Sequence, residues 1–474
     1  MLVVREKDTV VIPCTGKEEI KLRTFTTDHK LQGVDNTFFM RLTYLRVLDL
    51  SDSLVQTIPD YIGNLIYLRL FDLDVTNISC LPESIGSLQN LLMLNLKRCK
   101  YLHSLPLATT QLCNLRRLGL AGTPINQVPK GIGRLKFLND LDGFPIGGGS
   151  DNTKMQDGWN SQELAHLSQL RRLDLNKLER ATPWSSTDAL LLTDKKHLKK
   201  LNLCCTKPTD EEYSEKGISN FPTWLSTSQL SSLTYLRLID CKSCVHLPPI
   251  GQLPNLKYLK INGASAITKI GPEFVGCWEG NLRSTEAVAF PKLEVLVIED
   301  MPNWEEWSFV EEEEEVQEEE ASAAAKEGGE DGIAASKQKG EEAPSPTPRS
   351  SWLLPCLTRL DLVGCPKLRA LPPRLGQQAT NLKVLLIREA ECLKTVEDLP
   401  FLSGRLMISN LPQVRELRAG GCPNLRCVEE LGGLEQLRLY KDMQDISSPW
   451  VSMLQEQHHQ LNGDEHVLEV NEWL

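Results

Sequence analysis

The tightest grouping of reactive side chains in the sequence is Cys241-Lys-Ser-Cys244-Val-His246, two thiols and an imidazole within six residues. That spacing suits half of a zinc site, but a structural zinc takes four ligands, and no second pair at matching spacing is evident. His458-His459 lacks an acidic or cysteine companion at ligand spacing and reads as surface. The glycine-rich stretch "FPIGGGSDNTKMQDG", residues 144–158, is not followed by the Gly-Lys-Ser/Thr that a phosphate loop needs at the head of a helix. No nucleophile elbow or catalytic carboxylate pair in a recognisable motif stands elsewhere. The expectation is therefore a protein without metal, nucleotide or other cofactor that is not an enzyme and works by binding.

A larger pattern explains where those residues fall. Leu-x-x-Leu-x-Leu begins at Leu45, Leu68, Leu91 and Leu115, with spacings of 23, 23 and 24 residues. It returns less evenly at Leu170, Leu198, Leu233, Leu256, Leu293, Leu357, Leu382 and Leu434, with an opening repeat at Leu22 and degenerate ones at Leu138 and Ser403. Periods in the twenties with this motif belong to leucine-rich repeats, one short strand and one return segment per turn. Side chains alternate along a strand, so Leu48 and Leu50 should face inward while Val47, Asp49 and Ser51 face the other way. No turn buries its leucines alone, and stacked turns bury them against one another. The fold class expected is an α/β leucine-rich-repeat solenoid, a curved horseshoe of roughly fourteen turns with a continuous parallel sheet on its concave face.

Past each strand a small polar residue recurs at Ser53, Thr76, Cys99, Thr123, Cys241 and Cys365. A side chain there can hydrogen-bond the buried turn backbone, which would otherwise cost about 1–3 kcal/mol per unpaired group. This shared phase is the simpler account of Cys241. An apolar residue and a proline follow, as in Ile58-Pro59, Leu81-Pro82, Leu105-Pro106 and Leu371-Pro372. Proline lacks a donor, so these mark the return segment. In the first turn the apolar series is expected to run through Leu54, Ile58, Ile62 and Leu65.

Net charge is −11 over 474 residues, but residues 305–350 hold 15 acidic and 4 basic side chains, which leaves 48 of each elsewhere. Acidity thus belongs to one segment, and nucleic acid is not an expected partner. Residues 310–350 combine charge with Ala, Gly, Ser and Pro and lack aromatics, the composition of a disordered insertion. The expected organisation is a lead-in over 1–21, repeats over 22–309, the insertion over 310–350, repeats again over 351–440, and a cap or tail over 441–474 in which Trp450, Met453, Leu454 and Leu461 cover the last turn. Charged residues at Arg5, Glu6, Lys7 and Asp8 stand where a signal peptide needs an apolar run, and no stretch of about 18 apolar residues exists. A cytoplasmic chain with reduced thiols and no membrane partner is expected, nuclear residence being compatible with it.

"MRLTYLRVLDLSD", "CLPESIGSLQNLLMLNLKRC", "FPTWL" at 221–225, "LPPIGQLPNLKYLKI" at 247–261 and "LTRLDLVGCPKLRALP" at 357–372 resemble the repeat region of plant intracellular immune receptors of the coiled-coil, nucleotide-binding, leucine-rich-repeat class. The resemblance spans about residues 22–440 and implies a defence function: recognition of a pathogen effector or a guarded host protein, or contact with the receptor's own domains. Such receptors carry an upstream nucleotide switch, whereas 21 residues precede Leu22. The alternative is a stand-alone signalling scaffold resembling small-GTPase- and phosphatase-binding repeat proteins. Even spacing would favour that scaffold, and the irregular 28-, 35- and 37-residue spacings favour the receptor.

Phase assigns the candidate binding face. Early strands present Asp49, Asp72 and Asp74, and middle strands present Arg117, Arg172, Lys200, Tyr235, Arg237, Tyr258 and Lys260, an expected reversal from acidic to basic. Tyrosine and arginine are common anchors in protein interfaces. Lys195 and Lys196 are expected on the return side. Titration with labelled ATP or ADP is expected to give no saturable signal, and micromolar binding would contradict the reading of the glycine-rich stretch.

Overall fold

The computed structural model describes residues 20–27, 31–146, 162–178, 195–205, 230–276, 288–308, 353–372 and 375–394, with shorter pieces nearer the two ends. Leu45, Leu48 and Leu50 are fully buried, and Val47 and Asp49 between them are half-buried. This alternation makes the strand Val47–Asp49, which pairs in parallel with Thr24–Thr26 on one side and Leu70–Asp72 on the other. The pairing repeats through a sheet of 15 strands that begins at Thr24–Thr26 and ends at Cys427–Glu429. Leucines of consecutive turns stack beneath it as one apolar core.

Register is kept strand to strand, so each core residue sits over the core residue of the turn before. It shifts once in the described ladders, between Asp140–Pro145 and Arg172–Asn176, where Leu173 faces Leu141 but Leu175 faces Phe144. Gly143 lies in that bulge at φ 77°, and a Cβ there would stand 2.2 Å from the Ala121 backbone nitrogen. The degenerate motifs at Leu138 and Ser403 nonetheless yield strands of the sheet, Asp140–Pro145 and Arg405–Ser409. Leu434 does not. Its strand, Gln436–Leu439, joins Glu416–Ala419 and Glu469–Glu472 in a separate three-stranded sheet. Here strands follow one another so closely along the chain that alternate ones enter alternate sheets, and the long sheet closes on Cys427–Glu429.

Before Ser53, Thr76, Cys99 and Cys241 the chain leaves the sheet through one left-handed residue: Asp52 at φ 54°, Val75 at 58°, Arg98 at 55° and Asp240 at 54°. The next residue is the recurrent polar one. Ser53 Oγ donates to Leu50 O at 2.6 Å, Thr76 Oγ1 to Leu73 O at 2.8 Å and Thr123 Oγ1 to Leu120 O at 2.7 Å. Cys99 Sγ does the same to Leu73 O at 3.0 Å, and Cys365 Sγ reaches Val363 O at 3.6 Å. Burial pushes the Cys365 thiol up to about 12, so it stays a donor. The prolines then open 3-10 turns at Asp60–Asn64, Glu83–Ser87 and Leu107–Gln111. These stack so tightly that a Cβ on Gly63 would lie 2.9 Å from Ser84 O and one on Gly86 2.8 Å from Ala108 Cβ. On the opposite rim, Asn90, Asn114, Asn255 and Asn381 each donate to a carbonyl of the preceding turn at 2.6–2.8 Å.

Two local expectations are corrected, for Leu54 and Met453, and Lys195 proves to be buried. Leu54 is 47% exposed and Val55 is fully buried in its place, because the left-handed residue Asp52 shifts the phase leaving the strand. Lys195 lies under the surface, its Nζ donating to Leu164 O at 2.6 Å and Ala165 O at 2.8 Å, so it ties two turns together. At the C-terminal end Leu454 is buried but Met453 is exposed, as helical phase allows only one of these neighbours to face inward. Trp450, Leu461, the loop over 147–158, "FPTWL" and residues 310–350 lie outside the described residues.

The segments on either side of residues 310–350 are well anchored. Trp304, Trp307, Leu353 and Leu354 are buried, and Val295–Glu299 pairs in full register with Arg359–Val363. Thr358 bonds Glu294 across 64 residues of sequence, and taking out the 41 residues of 310–350 leaves the 23 that separate Thr76 from Cys99. Deletion of 310–350 is expected to leave unfolding cooperativity intact, with less than about 1 kcal/mol lost in a denaturant titration. A loss of several kcal/mol would mean that the segment packs on the repeats.

Candidate functional site

The solvent face of the sheet is a grid whose rows run across the strands. One row passes through Arg117, Asp140, Arg172, Lys200, Tyr235, Tyr258 and Val295 as successive backbone partners. A second passes through Asp174, Asn202, Arg237, Lys260, Val297 and Asp361. Parallel strands about 4.8 Å apart make neighbours along a row contact one another, although they are tens of residues apart in sequence.

At the N-terminal end, Asp49 and Asp72 are adjacent partners. Asp49 Oδ1 accepts from Ser51 N at 3.0 Å, and Asp72 accepts from Asp74 N at 2.9 Å and Asn95 Nδ2 at 3.0 Å. Burial raises Asp72 above the ordinary carboxylate range. Asp74 is clamped by Arg98 through Nε at 2.9 Å and Nη2 at 2.5 Å. The acidic patch thus carries its own cation.

The middle strands differ from the expected basic patch. Arg172 Nη2 lies 2.9 Å from Asp174 and 3.4 Å from Asp142, and its Nε lies 3.9 Å from Asp140. Arg117 approaches Asp140 at 3.5 Å, and Lys97 pairs with Asp142. Asp142 and Asp174 are buried and hydrogen-bonded to each other. Desolvation first, then the bond to Asp142, push Asp174 up to about 6, while Asp142 is held low by its hydrogen bonds to Asp174 and Lys97 against its own desolvation. Arg172 is therefore the centre of a carboxylate network. The aspartates were visible in sequence, since Asp142 and Asp174 occupy the outward phase of "LNDLDG" and "LRRLDL" just as Asp49 does in "LRVLDL".

Next to this network the chemistry changes. Tyr235 and Tyr258 stack with centroids 4.4 Å apart and planes 4° from parallel. Lys200 Nζ stands 5.5 Å from the Tyr235 centroid, in cation–π range. Burial, reinforced by Tyr235, raises the Tyr258 phenol, which stays a neutral donor. Arg237 Nε is buried without a hydrogen-bond partner among the described residues, whereas Lys260 is paired with Glu299 at 2.5 Å. Lys200, Tyr235, Arg237 and Tyr258 form one contiguous cluster, separate from the acidic end.

The candidate ligand residues do not converge. Cys241 and Cys244 are buried and His246 is exposed, and among the described residues no three His, Cys, Asp or Glu side chains are placed to hold a metal. His459 is exposed, and His458 lies outside the described residues. Among the described residues no helix is long and apolar enough to cross a membrane.

A parallel sheet built one strand per turn over a ladder of leucines is a leucine-rich-repeat architecture, and a family model described as a leucine-rich repeat region matches residues 21–310. The chain belongs to that family. Its repeats are similar to plant disease resistance proteins: it is 33% identical to RGA4 of Solanum bulbocastanum over 277 residues, covering 54% of this chain and 27% of RGA4. It is 39% identical to RPP13-like protein 1 of Arabidopsis thaliana over 87 residues, covering 18% of this chain and 8% of that one. The chain thus spans about a quarter or less of these relatives. Among solved structures, a leucine-rich-repeat protein of Leptospira interrogans, LIC12759, matches at 20% identity and TM-score 0.42, covering 86% of this chain and 89% of that one. The chain is a leucine-rich-repeat region homologous to those plant resistance proteins.

Asp174 makes stability depend on pH. Its folded-state value of about 6 lies above the unfolded value of about 3.9, so its contribution is full below about pH 4 and is lost as pH rises through about 6. Asp174→Asn is expected to gain on the parent by about 1–1.5 kcal/mol as pH is raised from about 5 to about 7.5, in denaturant unfolding at both values. A constant difference between the two proteins would show that Asp174 titrates normally.

Proposed function

We propose that the chain is a protein-binding module for plant defence, without catalytic activity of its own, that recognises a pathogen effector or a guarded host protein through the solvent face of its sheet. One observation carries this reading: the stacked Tyr235 and Tyr258 beside Lys200 and the unbonded, buried Nε of Arg237. A buried donor without a partner costs about 1–3 kcal/mol, and two tyrosines hold a large amphipathic area at low entropy cost. Both are recovered if a partner covers the cluster with a carboxylate and an apolar or aromatic group. Arg117, Arg172 and Lys260 surround the cluster with compensated charge, while Asp49, Asp72 and Asp74 would meet the far end of a larger partner. Similarity to resistance proteins supports the defence context.

Arg172 belongs to a buried network, so reversing its charge would confound binding with folding. The informative variant is Tyr235→Ala with Tyr258→Ala and Lys200→Glu, and the control is Lys196→Glu on the exposed return side. A protein captured by the parent from challenged plant tissue is purified and titrated against all three. The triple variant is expected to bind at least about tenfold more weakly and the control to match the parent, with unfolding midpoints of the variants close together. Equal affinity for triple variant and parent would refute this site.

A further inference from the structure

One chemically unusual cluster has no part in the binding face. Cys205 and Cys241 leave adjacent strands, Lys200–Cys204 and Tyr235–Ile239, which pair in parallel. They follow the strands in successive turns, and Cys205 N donates to Ile239 O at 3.0 Å. Cys205 Sγ lies 3.9 Å from Cys241 Sγ. Cys244, one turn of chain beyond, is also buried and in contact with Cys241. Cys241 and Cys244 are buried, whereas Cys205 is half-exposed and is the thiol a small oxidant meets first.

A single thiol in the slot after a strand is explained by its hydrogen bond to the turn, as for Cys99 and Cys365. Cys205 stands one residue earlier in its turn, aligned with Asp240 and not with the slot of Cys241, so that duty does not account for its thiol. Cys205 and Cys241 are offset by one position across adjacent strands, and a spacing of about 4.8 Å with a rise of about 3.3 Å per residue keeps such a pair within the Cα separation a disulfide spans, so side-chain rotation rather than backbone rearrangement can join the sulfurs.

We propose that Cys205 and Cys241 are a peroxide-responsive thiol pair that closes to an intramolecular disulfide between two turns of the solenoid. The Cys205 sulfur attacks one oxygen of a hydroperoxide. An S–O bond forms, the O–O bond breaks, and the leaving oxygen takes the thiol proton as water or alcohol. Cys241 then attacks the sulfenic sulfur of Cys205. The S–S bond forms, the S–O bond breaks, and hydroxide departs with the Cys241 proton as water. Two thiols are oxidised by two electrons and one hydroperoxide is reduced. The high affinity of Cys241 for its proton, set by contact with Cys205 and Cys244 and by burial, assigns it to the second step. In a reducing compartment such a bond is transient and regulatory rather than structural. It joins the two strands that carry Lys200, Tyr235 and Arg237, yet the proposal does not rest on protein binding at that face.

The test treats the reduced full-length chain with hydrogen peroxide, blocks remaining thiols with N-ethylmaleimide and digests with trypsin. Cleavage after Lys200, Arg237 and Lys242, with Lys207 protected by Pro208, places Cys204 and Cys205 in the peptide 201–216 and Cys241 alone in 238–242. The expected product is these two peptides joined, two hydrogens lighter than their sum and separated by dithiothreitol. It should persist in Cys204→Ser and vanish in Cys205→Ser and Cys241→Ser. Circular dichroism of each variant checks folding, and the parent's linked peptide decides the case if Cys241→Ser does not fold. A bond through Cys204 or Cys244 overturns the proposal. So does no linked product at a dose that oxidises the exposed Cys80 and Cys113.

Discussion

The structure depends on one constraint: a single turn of about 23 residues exposes the leucines it needs to bury. Leu45, Leu48 and Leu50 have zero exposure only because Leu68, Phe71 and Leu73 lie beside them in the next turn, and these depend in turn on Leu91, Leu94 and Leu96. Burying each such side chain contributes about 1.5–3 kcal/mol, and the contribution is shared between neighbours. Stability is therefore a property of stacking. Every other device serves it: left-handed residues turn the chain out of the sheet, and hydroxyls and thiols pair the carbonyls left behind. Asparagines on the rim and glycines in the return segments let adjacent turns approach.

Stacking also creates the face proposed above for binding. Residues that face away from the leucines are not part of the apolar core, yet parallel register lines them up about 4.8 Å apart. Lys200, Tyr235 and Tyr258 are separated by 35 and 23 residues, and they touch because consecutive strands keep register. The same rule joins Asp142, Arg172 and Asp174 into a network whose charges compensate one another. One end of the face is thus saturated internally, and the tyrosine cluster beside it retains a buried donor with nothing to bond. This contrast, rather than the sign of the charges, is the ground for the proposed binding surface.

The thiol pair follows from the same geometry. A slot that needs only a weak donor tolerates cysteine at 241, and the parallel pairing of the next turn brings Cys205, one step short of that slot, to 3.9 Å from it. A repeat fold converts a sequence coincidence separated by 36 residues into a chemical pair. A disulfide would change the solenoid locally, at the two strands that carry the tyrosine cluster's first half.

The sequence by itself determined the period, the inward phase and the polar slot, because each depends on local geometry: alternation along a strand, a left-handed exit and a buried carbonyl one turn away. It sufficed for the weak motifs at Leu138 and Ser403, which still formed strands, since neighbours on both sides impose the stack. Tertiary structure alone decided which outward residues meet. Arg172 belongs by sequence to a basic stretch of the face and is held by three aspartates, Lys195 belongs to the return side and is buried on two carbonyls, and Leu434 opens a repeat motif but its strand belongs to another sheet. The physical reason is common to all three. Asp140 and Asp142 for Arg172, Leu164 and Ala165 for Lys195, and Glu416–Ala419 for the Leu434 strand all lie in other turns, and only the register of those turns specifies which partners they are.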